Sequence, residues 1–567
     1  MTIFRKIIQN IVPIIIISFA VIFTYWDLPK TFFQQDEWLG FARMISYEAT
    51  GGVENVLKIP FILGKGHFTP LSYYQLYFEF KLFGLSFEPF VLVSIFTHIV
   101  NSVLLFYFVS LLLKNKFLAL CSALVFAVGV ISNQAVSWIG TSTNTQGAIL
   151  FLLLSLIFIL KYFHNNQKIN YHIALFFFFT GLLFKETILF FFILAPIMWF
   201  LFGDKIGRRE FYLFMKPLIF LGFIYLLLRA SLFLIPSSIG VTSANTVNLS
   251  LTADVVRLIF APFKIIPQAI IPQQYLINIS DMALFYLYPQ YGFPNPYISQ
   301  TVLFGQVIPY LSIPIILIGF IFYKLALLKK IIDLARSIIF SLVFIMLSSL
   351  PFAFIPGDLA DFPMYESRHL HAATIGVSVF LVVVLWTIVK GLVKKSKHAY
   401  LVMLILLVSL LLFHFNLTRT EIYKVVNVST ARRNISDFIK MSYPKLPQKV
   451  VFYTESNTSY YGMPQEEKAL PVQINFGLIL LVTYNQSSNF PPCLFDFDHE
   501  SFHMLNQRYE ECDGRGFGYF RDYDKLVNAV KENNISMDNI ISFSWNGKEG
   551  EIRDITSEIK ERVRKEP

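Results

Sequence analysis

Apolar runs of membrane-spanning length recur from residue 7 to residue 415, each broken by a short polar or charged interval. Allowing about twenty apolar residues per crossing, the pattern predicts roughly eleven spans. They fall near 7–26, 89–113, 117–132, 144–163, 172–184, 188–202, 211–235, 301–323, 337–355, 370–389 and 400–415. Beyond 415 the rhythm shortens and turns polar. Strands are expected at 449-KVVFYT-454 and 477-GLILLVTY-484, then a helix at 522-DYDKLVNAVKENN-534 and a strand at 539-NIISFSW-545. The pattern therefore predicts an all-α polytopic membrane bundle over 1–415 and a small C-terminal α/β domain over 416–567, of ordinary domain size.

Charge sets the expected orientation. Lys and Arg gather in 205-KIGRRE-210, 324-KLALLKK-330 and 390-KGLVKKSK-397, between apolar runs. Positive charges resist translocation, so these loops are assigned to the cytoplasm. With the N-terminus inside, every basic cluster falls on that side. The loops at 27–88, 133–143, 236–300 and 356–369, and the C-terminal domain, are then extracytoplasmic. Within 236–300, 252-TADVVRLIFAPFKIIPQAI-270 has apolar positions at helical spacing and is expected to lie in the interface plane or to serve in packing. The first apolar run lacks a small-residue cleavage site and is expected to stay as a span.

Composition narrows the class. The chain is 55% hydrophobic and 15% charged, which excludes a soluble multidomain protein of this length. The net charge of +10 sits in span-flanking loops and not in a patch with stacking aromatics, so no nucleic-acid partner is expected. Three cysteines supply no metal or disulfide framework; Cys493 and Cys512 form a pair only if their domain is outside the cytoplasm. Richness in Phe, Ile, Asn and Lys points to a prokaryotic plasma membrane.

Two adjacent carboxylates, in 33-FQQDEWLGF-41, lie just beyond the first span. They are one of a series of motifs in fixed order. The run 67-HFTPLSYYQLYFEFKLFGLSFEPF-90 leads into the second span, 97-THIVN-101 lies within it, and 135-AVSWIGTSTNTQGAI-149, 181-GLLFKET-187 and 366-ESRHLHAATIG-376 follow. In content and order these resemble the GT-C membrane glycosyltransferases, close to the protein O-mannosyltransferase and tetratricopeptide-type transmembrane mannosyltransferase branch. The resemblance covers 1–415. It departs at His67, where the family often has Arg, at Thr141 or Ser142, where it has Arg, at His369 and His371, where it has Tyr, and in the α/β domain that replaces tetratricopeptide repeats.

The resemblance implies inverting sugar transfer from a polyprenyl-phosphate donor in the membrane lipid, on the outer face, to a protein, glycan or lipid acceptor. A phosphate leaves as a stable anion, so one carboxylate acting as general base is enough, where glycoside hydrolysis employs two. The family match assigns that role to Asp36, with Glu37 held on a partner; the alternative is an acid pair capping the next helix. Cations belong near the departing phosphate. Arg368 is the preferred ligand because Arg grips phosphate oxygens in pairs, the alternative being a rim ion pair with Glu366. Lys185 and Arg229 are the other candidates; their alternatives are pairing with Glu186 and snorkelling to the interface. Substrate contacts are assigned to His67, Trp138, Glu186, His98 and Asn101. Trp138 also suits an interfacial anchor, and the last pair suits interhelical hydrogen bonding. The motif 496-DFDH-499 resembles diphosphate-metal motifs, but a monophosphate donor requires no cation, so neither metal nor cofactor is expected. A transporter or flippase of lipid-linked saccharides is the rival class. It calls for paired halves with broken helices, which the chain lacks. A receptor or assembly scaffold that binds ligand through the C-terminal domain is a third class, and it leaves Asp36, Lys185 and Arg368 without a role.

Overall fold

The structure is a computed structural model and describes residues 2–34, 36–63, 67–203, 208–234, 251–287, 308–353, 365–393, 395–458, 476–495, 507–547 and 549–566. The motif 496-DFDH-499 lies outside them. Among the described residues eight helices are long and apolar enough to cross a membrane, or nine if one bent pair counts as a span. Three shorter apolar helices, Lys116–Val128, Lys168–Phe184 and Glu186–Phe202, fall where the sequence places further crossings. At 1.5 Å per residue a 13-residue helix reaches only about 20 Å, short of the ~30 Å hydrocarbon core. These short helices pack against long neighbours: Leu118, Phe178 and Phe191 are buried with Leu152, Phe344 and Val383 in one core.

Successive helices alternate in direction, so the charged connections collect at one end of the bundle. There Lys114 pairs with Asp333 at 3.1 Å, and Lys329 donates to the Lys390 carbonyl at 3.5 Å. The opposite end carries the Asp36–Leu63 helix, the Pro70–Phe83 helix and the turns that hold the motifs quoted above. The Asp36–Leu63 helix starts with two acids in its first turn, favoured by the N-terminal end of the helix dipole. It kinks at Gly51 and Gly52, the latter at φ +67, a left-handed conformation suited to glycine. The segment at 252–270 forms the expected helix, Leu251–Ile270, and takes the packing alternative along its second half. Ile265, Ile266 and Ala269 are fully buried in the bundle core, and the chain turns by 110° before Gln273.

The last span does not stop at the expected boundary of 416. One helix runs from Ser396 to Ser442, 47 residues, or about 70 Å at 1.5 Å per residue. Only part of it is apolar, so the rest projects from the bundle and carries the C-terminal domain. Thr418 donates to the Val128 carbonyl at 2.9 Å, and Arg433 donates to the Thr31 carbonyl at 2.7 Å while its guanidinium lies 5.6 Å from the Phe32 ring. Arg419 pairs with Asp27. These contacts tie the projecting helix to the chain just ahead of Asp36.

The C-terminal domain holds a five-stranded sheet in the order β2-β3-β1-β4-β5, with β1 Lys449–Ser456, β2 Tyr509–Cys512, β3 Arg515–Phe520, β4 Ile540–Asn546 and β5 Glu551–Asp554. β1 pairs in parallel with β3 and β4, and the two edge strands are antiparallel. Side chains alternate across β1 as a strand requires. Val451 and Tyr453 face the Tyr523–Glu532 and Thr556–Lys565 helices, while Val450 and Phe452 face the membrane domain. The expected strand at 477–484 is a helix, Phe476–Tyr484. It is buried all round between the sheet and the Asp36–Leu63 helix, and a uniformly apolar run carries no periodicity to distinguish the two states. Cys493 and Cys512 form a disulfide.

Candidate active site

Phe33 anchors the chain before the acid pair. It is fully buried, edge-on to Trp38, Phe41, Phe87 and Phe90 with ring centroids 5.5, 5.3, 5.0 and 5.4 Å away. Such edge-to-face contacts fix ring positions beyond their area burial. The two carboxylates that follow then diverge, about a hundred degrees apart on the helix. Glu37 is fully buried and points inward: Oε1 accepts from the Gly140 amide at 2.8 Å and Oε2 from the Gln34 amide at 3.2 Å. Burial holds its carboxyl above the usual range, with those amide bonds opposing. It is a brace between this helix and the start of the Ile139–Asn165 helix. Gly140 packs closely here, since a Cβ at that position would stand 3.2 Å from the Asp36 Cβ and push it aside.

Asp36 faces a cleft and keeps about half of its side chain accessible, 48%. Across the cleft stands Arg368, with Nη1 3.9 Å from Asp36 Oδ2. The walls of the cleft desolvate the Asp36 carboxyl and raise its pKa; Arg368 opposes the shift and Glu366 adds to it. Arg368 is only 20% exposed and is held on two sides: its Nε pairs with Glu366 at 2.5 Å and its guanidinium stacks 4.5 Å from the Trp138 ring. The ion pair with Glu366 that the sequence offered as the alternative is present, beside the contact with Asp36.

Lys185 sits in the break between two short apolar helices. Its Nζ donates to Thr145 Oγ1 at 2.8 Å and Asn144 Oδ1 at 3.2 Å. Burial pulls it down to about 8, with the Glu186 carboxylate opposing. Glu186 makes its close contact with His67 Nδ1 and leaves Oε2 buried without a hydrogen-bond partner. Lys185 and Arg368 are both within electrostatic reach of His369, and His67 is too. One cluster therefore unites Asp36, Arg368, Trp138, Lys185, Glu186 and His67. Arg229 lies one helical turn from Tyr225, itself within reach of Glu186, at the edge of the group.

His98 and Asn101 are placed elsewhere. Both are buried in the helix packing, His98 with Nε2 3.1 Å from the Ala127 carbonyl and Asn101 donating to the Gln146 carbonyl at 3.1 Å. Asn144, Thr145 and His369 join the site although the sequence reading did not assign them a role. Asn144 and Thr145 lie within the quoted 135–149 motif, six and seven residues after Trp138, so a helical turn count would have placed them beyond the cleft-facing Trp138. An adjoining groove of about 250 Å³ runs between the Pro70–Phe83, Phe87–Leu113 and Ile139–Asn165 helices, lined by Phe90, Val93, Leu150, Phe151 and Phe184. Glu79 lies in the same groove, where Gln75 donates to it at 2.7 Å and burial pushes its carboxyl up to about 7.

Among the described residues the fold is a multi-pass helical bundle with a cluster of charged side chains at one end, as in an integral membrane protein. Residues 67–235 match the family described as dolichyl-phosphate-mannose-protein mannosyltransferase, a membrane mannosyltransferase family of the GT-C type. In general that family draws on polyprenyl-phosphate sugars. The matched stretch contains His67, Trp138, Lys185, Glu186 and Arg229 and stops short of Asp36 on one side and Arg368 on the other. No curated protein matches the chain significantly.

Proposed function

We propose that the protein transfers a sugar from a polyprenyl-phosphate donor to an acceptor hydroxyl on the outer face of the membrane, with Asp36 as general base. The observation that carries this reading is the ion pair of Asp36 and Arg368, 3.9 Å apart, in which the Asp36 side chain stays about half accessible. A base needs a proton to take and a route to substrate, and a half-accessible carboxylate with a raised pKa has both. Arg368, stacked on Trp138, is oriented to receive phosphate oxygens, and Lys185 supplies a second positive charge as the phosphate leaves. Glu37 positions Asp36 through the Gly140 amide. His67 and Glu186 form the rim on the Lys185 side. The apolar groove beside Asn144 accommodates the isoprenoid chain.

Orientation follows from charge. The basic connections occupy the end of the bundle opposite the cleft, and positive charge favours the cytoplasm, so the cleft and the C-terminal domain face outward. Transfer inverts the anomeric centre: the acceptor oxygen attacks in line as the bond to phosphate breaks, and its proton passes to Asp36. A flippase has no need of a carboxylate set opposite an arginine at one end only. The test is Asp36→Asn in reconstituted vesicles, with transfer from polyprenyl-phosphate mannose as the readout. A positioned base contributes about 10²–10⁴-fold, so a loss of that size is expected. Undiminished transfer contradicts the assignment.

A further inference from the structure

A second cavity lies next to the cleft, with a volume of about 260 Å³. It is enclosed by the turn Val130–Ser132, the bend after Ile270, the turn Ser367–Leu370 and the projecting part of the long helix. Its lining is rich in carboxamides: Asn133, Gln134, Gln268, Gln273 and Gln274. Gln268 is nearly buried and fixed, accepting from the Tyr365 amide at 2.8 Å and donating to the Lys264 carbonyl at 3.1 Å. Gln134 has a buried Oε1 with no hydrogen-bond partner. Its backbone amide donates to Ser367 Oγ at 3.2 Å, and that hydroxyl donates to Asn133 Oδ1 at 2.9 Å. Ser367 is the residue before Arg368, so the cavity is one residue along the chain from the cation that faces Asp36.

We propose that this cavity seats a neutral sugar ring of a glycan acceptor, an inference that rests on the transfer reading above. Carboxamides present a donor and an acceptor in one plane, which is what neighbouring sugar hydroxyls satisfy. Gln134 lines the cavity, and its carboxamide oxygen has no protein partner. Leu276, Leu370 and Ile131 give an apolar wall for the C–H face of a ring. The charged residues of the lining, Glu421 and Lys424, pair with each other at 2.7 Å, which leaves no net charge to favour a phosphate or a nucleotide. The apolar groove is lined by Ser142 and Phe184 and the cavity by Gln134 and Ser367, with no lining residue in common. Donor chain and acceptor ring therefore have separate seats. The acceptor hydroxyl loses its proton to Asp36 while its oxygen bonds to the anomeric carbon, and the carrier phosphate departs with the electron pair of the broken bond.

The test uses the full chain in lipid nanodiscs and a panel of methyl glycosides of mannose, glucose and galactose disaccharides as probes. Saturation-transfer NMR reads disaccharide binding, and a separate titration reads polyprenyl-phosphate binding. At least one disaccharide binds the wild type. Gln273→Ala with Gln274→Ala, at the exposed rim, and Gln134→Leu, inside, weaken it at least ~10-fold, the equivalent of about 1.4 kcal/mol. Unchanged polyprenyl-phosphate binding shows that the variants are folded. Variants that bind disaccharide as the wild type does, or a wild type that binds none of the panel or transfers only to a hydroxyl peptide, overturn the proposal. If disaccharide binding follows the glutamines while Asp36→Asn leaves transfer intact, the sugar site stands and the role given to Asp36 falls.

Discussion

Asp36 and Lys185 put opposite limits on activity. As the proposed base Asp36 must be ionised, and desolvation raises its pKa, so kcat/KM is expected to fall on the acid side at a higher pH than an ordinary aspartate would give. As the proposed phosphate ligand Lys185 must be protonated, and burial brings it to about 8, so kcat/KM is expected to fall again as pH rises through that value. A bell-shaped profile of kcat/KM is expected. Lys185→Arg removes the alkaline limb and leaves the acid limb, because guanidinium stays charged. A profile flat through pH 8 in the wild type contradicts the role of Lys185. The grouping of the acid pair, Trp138, Lys185 and Arg368 was legible in the sequence because the motif order placed them together. The division between Asp36 and Glu37 was legible only as divergence on a helix. Glu37 is held inward by the nearby Gln34 amide and by the Gly140 amide, and the Gly140 contact joins distant segments.

At the scale of elements, the cleft is built by packing that precedes the chemistry. Phe33 seats the turn into the Asp36–Leu63 helix among four aromatic rings. Phe33→Ala empties a fully buried position and is expected to destabilise the fold by about 3–5 kcal/mol, read as a lower midpoint of thermal unfolding in detergent. An unshifted midpoint contradicts the packing account. Helix boundaries were mostly recoverable from apolar run length. The 477–484 run and the length of the last helix were not. The run at 477–484 is apolar on every face, and its neighbours on both sides decide its state. The 252–270 segment has helical spacing, as read, but its burial against the Ile332–Leu347 and His371–Leu392 helices depends on a bend that periodicity does not encode.

For the whole molecule, the 47-residue helix is the strut that joins bundle and sheet. Arg419 and Arg433 fasten it beside the segment leading to Asp36, and the Phe476–Tyr484 helix wedges the sheet against the helix that Asp36 begins. The C-terminal domain therefore supports the cleft. Cys493 and Cys512, 19 residues apart, close a loop within that support. A loop of that length restricts the unfolded chain by about 3 kcal/mol, so Cys493→Ser with Cys512→Ser is expected to raise hydrogen exchange across β2 and β3 by about a hundredfold. Exchange equal to the wild type contradicts this. The polar composition announced the domain. The continuous helix did not announce itself, since its sequence turns from apolar to amphipathic midway.

The central claim is that one side chain holds the carrier phosphate and another takes the proton. Binding of polyprenyl phosphate to the wild type, Asp36→Asn and Arg368→Ala in nanodiscs separates the two most directly. Asp36→Asn is predicted to bind as tightly as the wild type, and Arg368→Ala at least ~10-fold more weakly, the worth of about 1.4 kcal/mol. Wild-type affinity in Arg368→Ala would contradict the account.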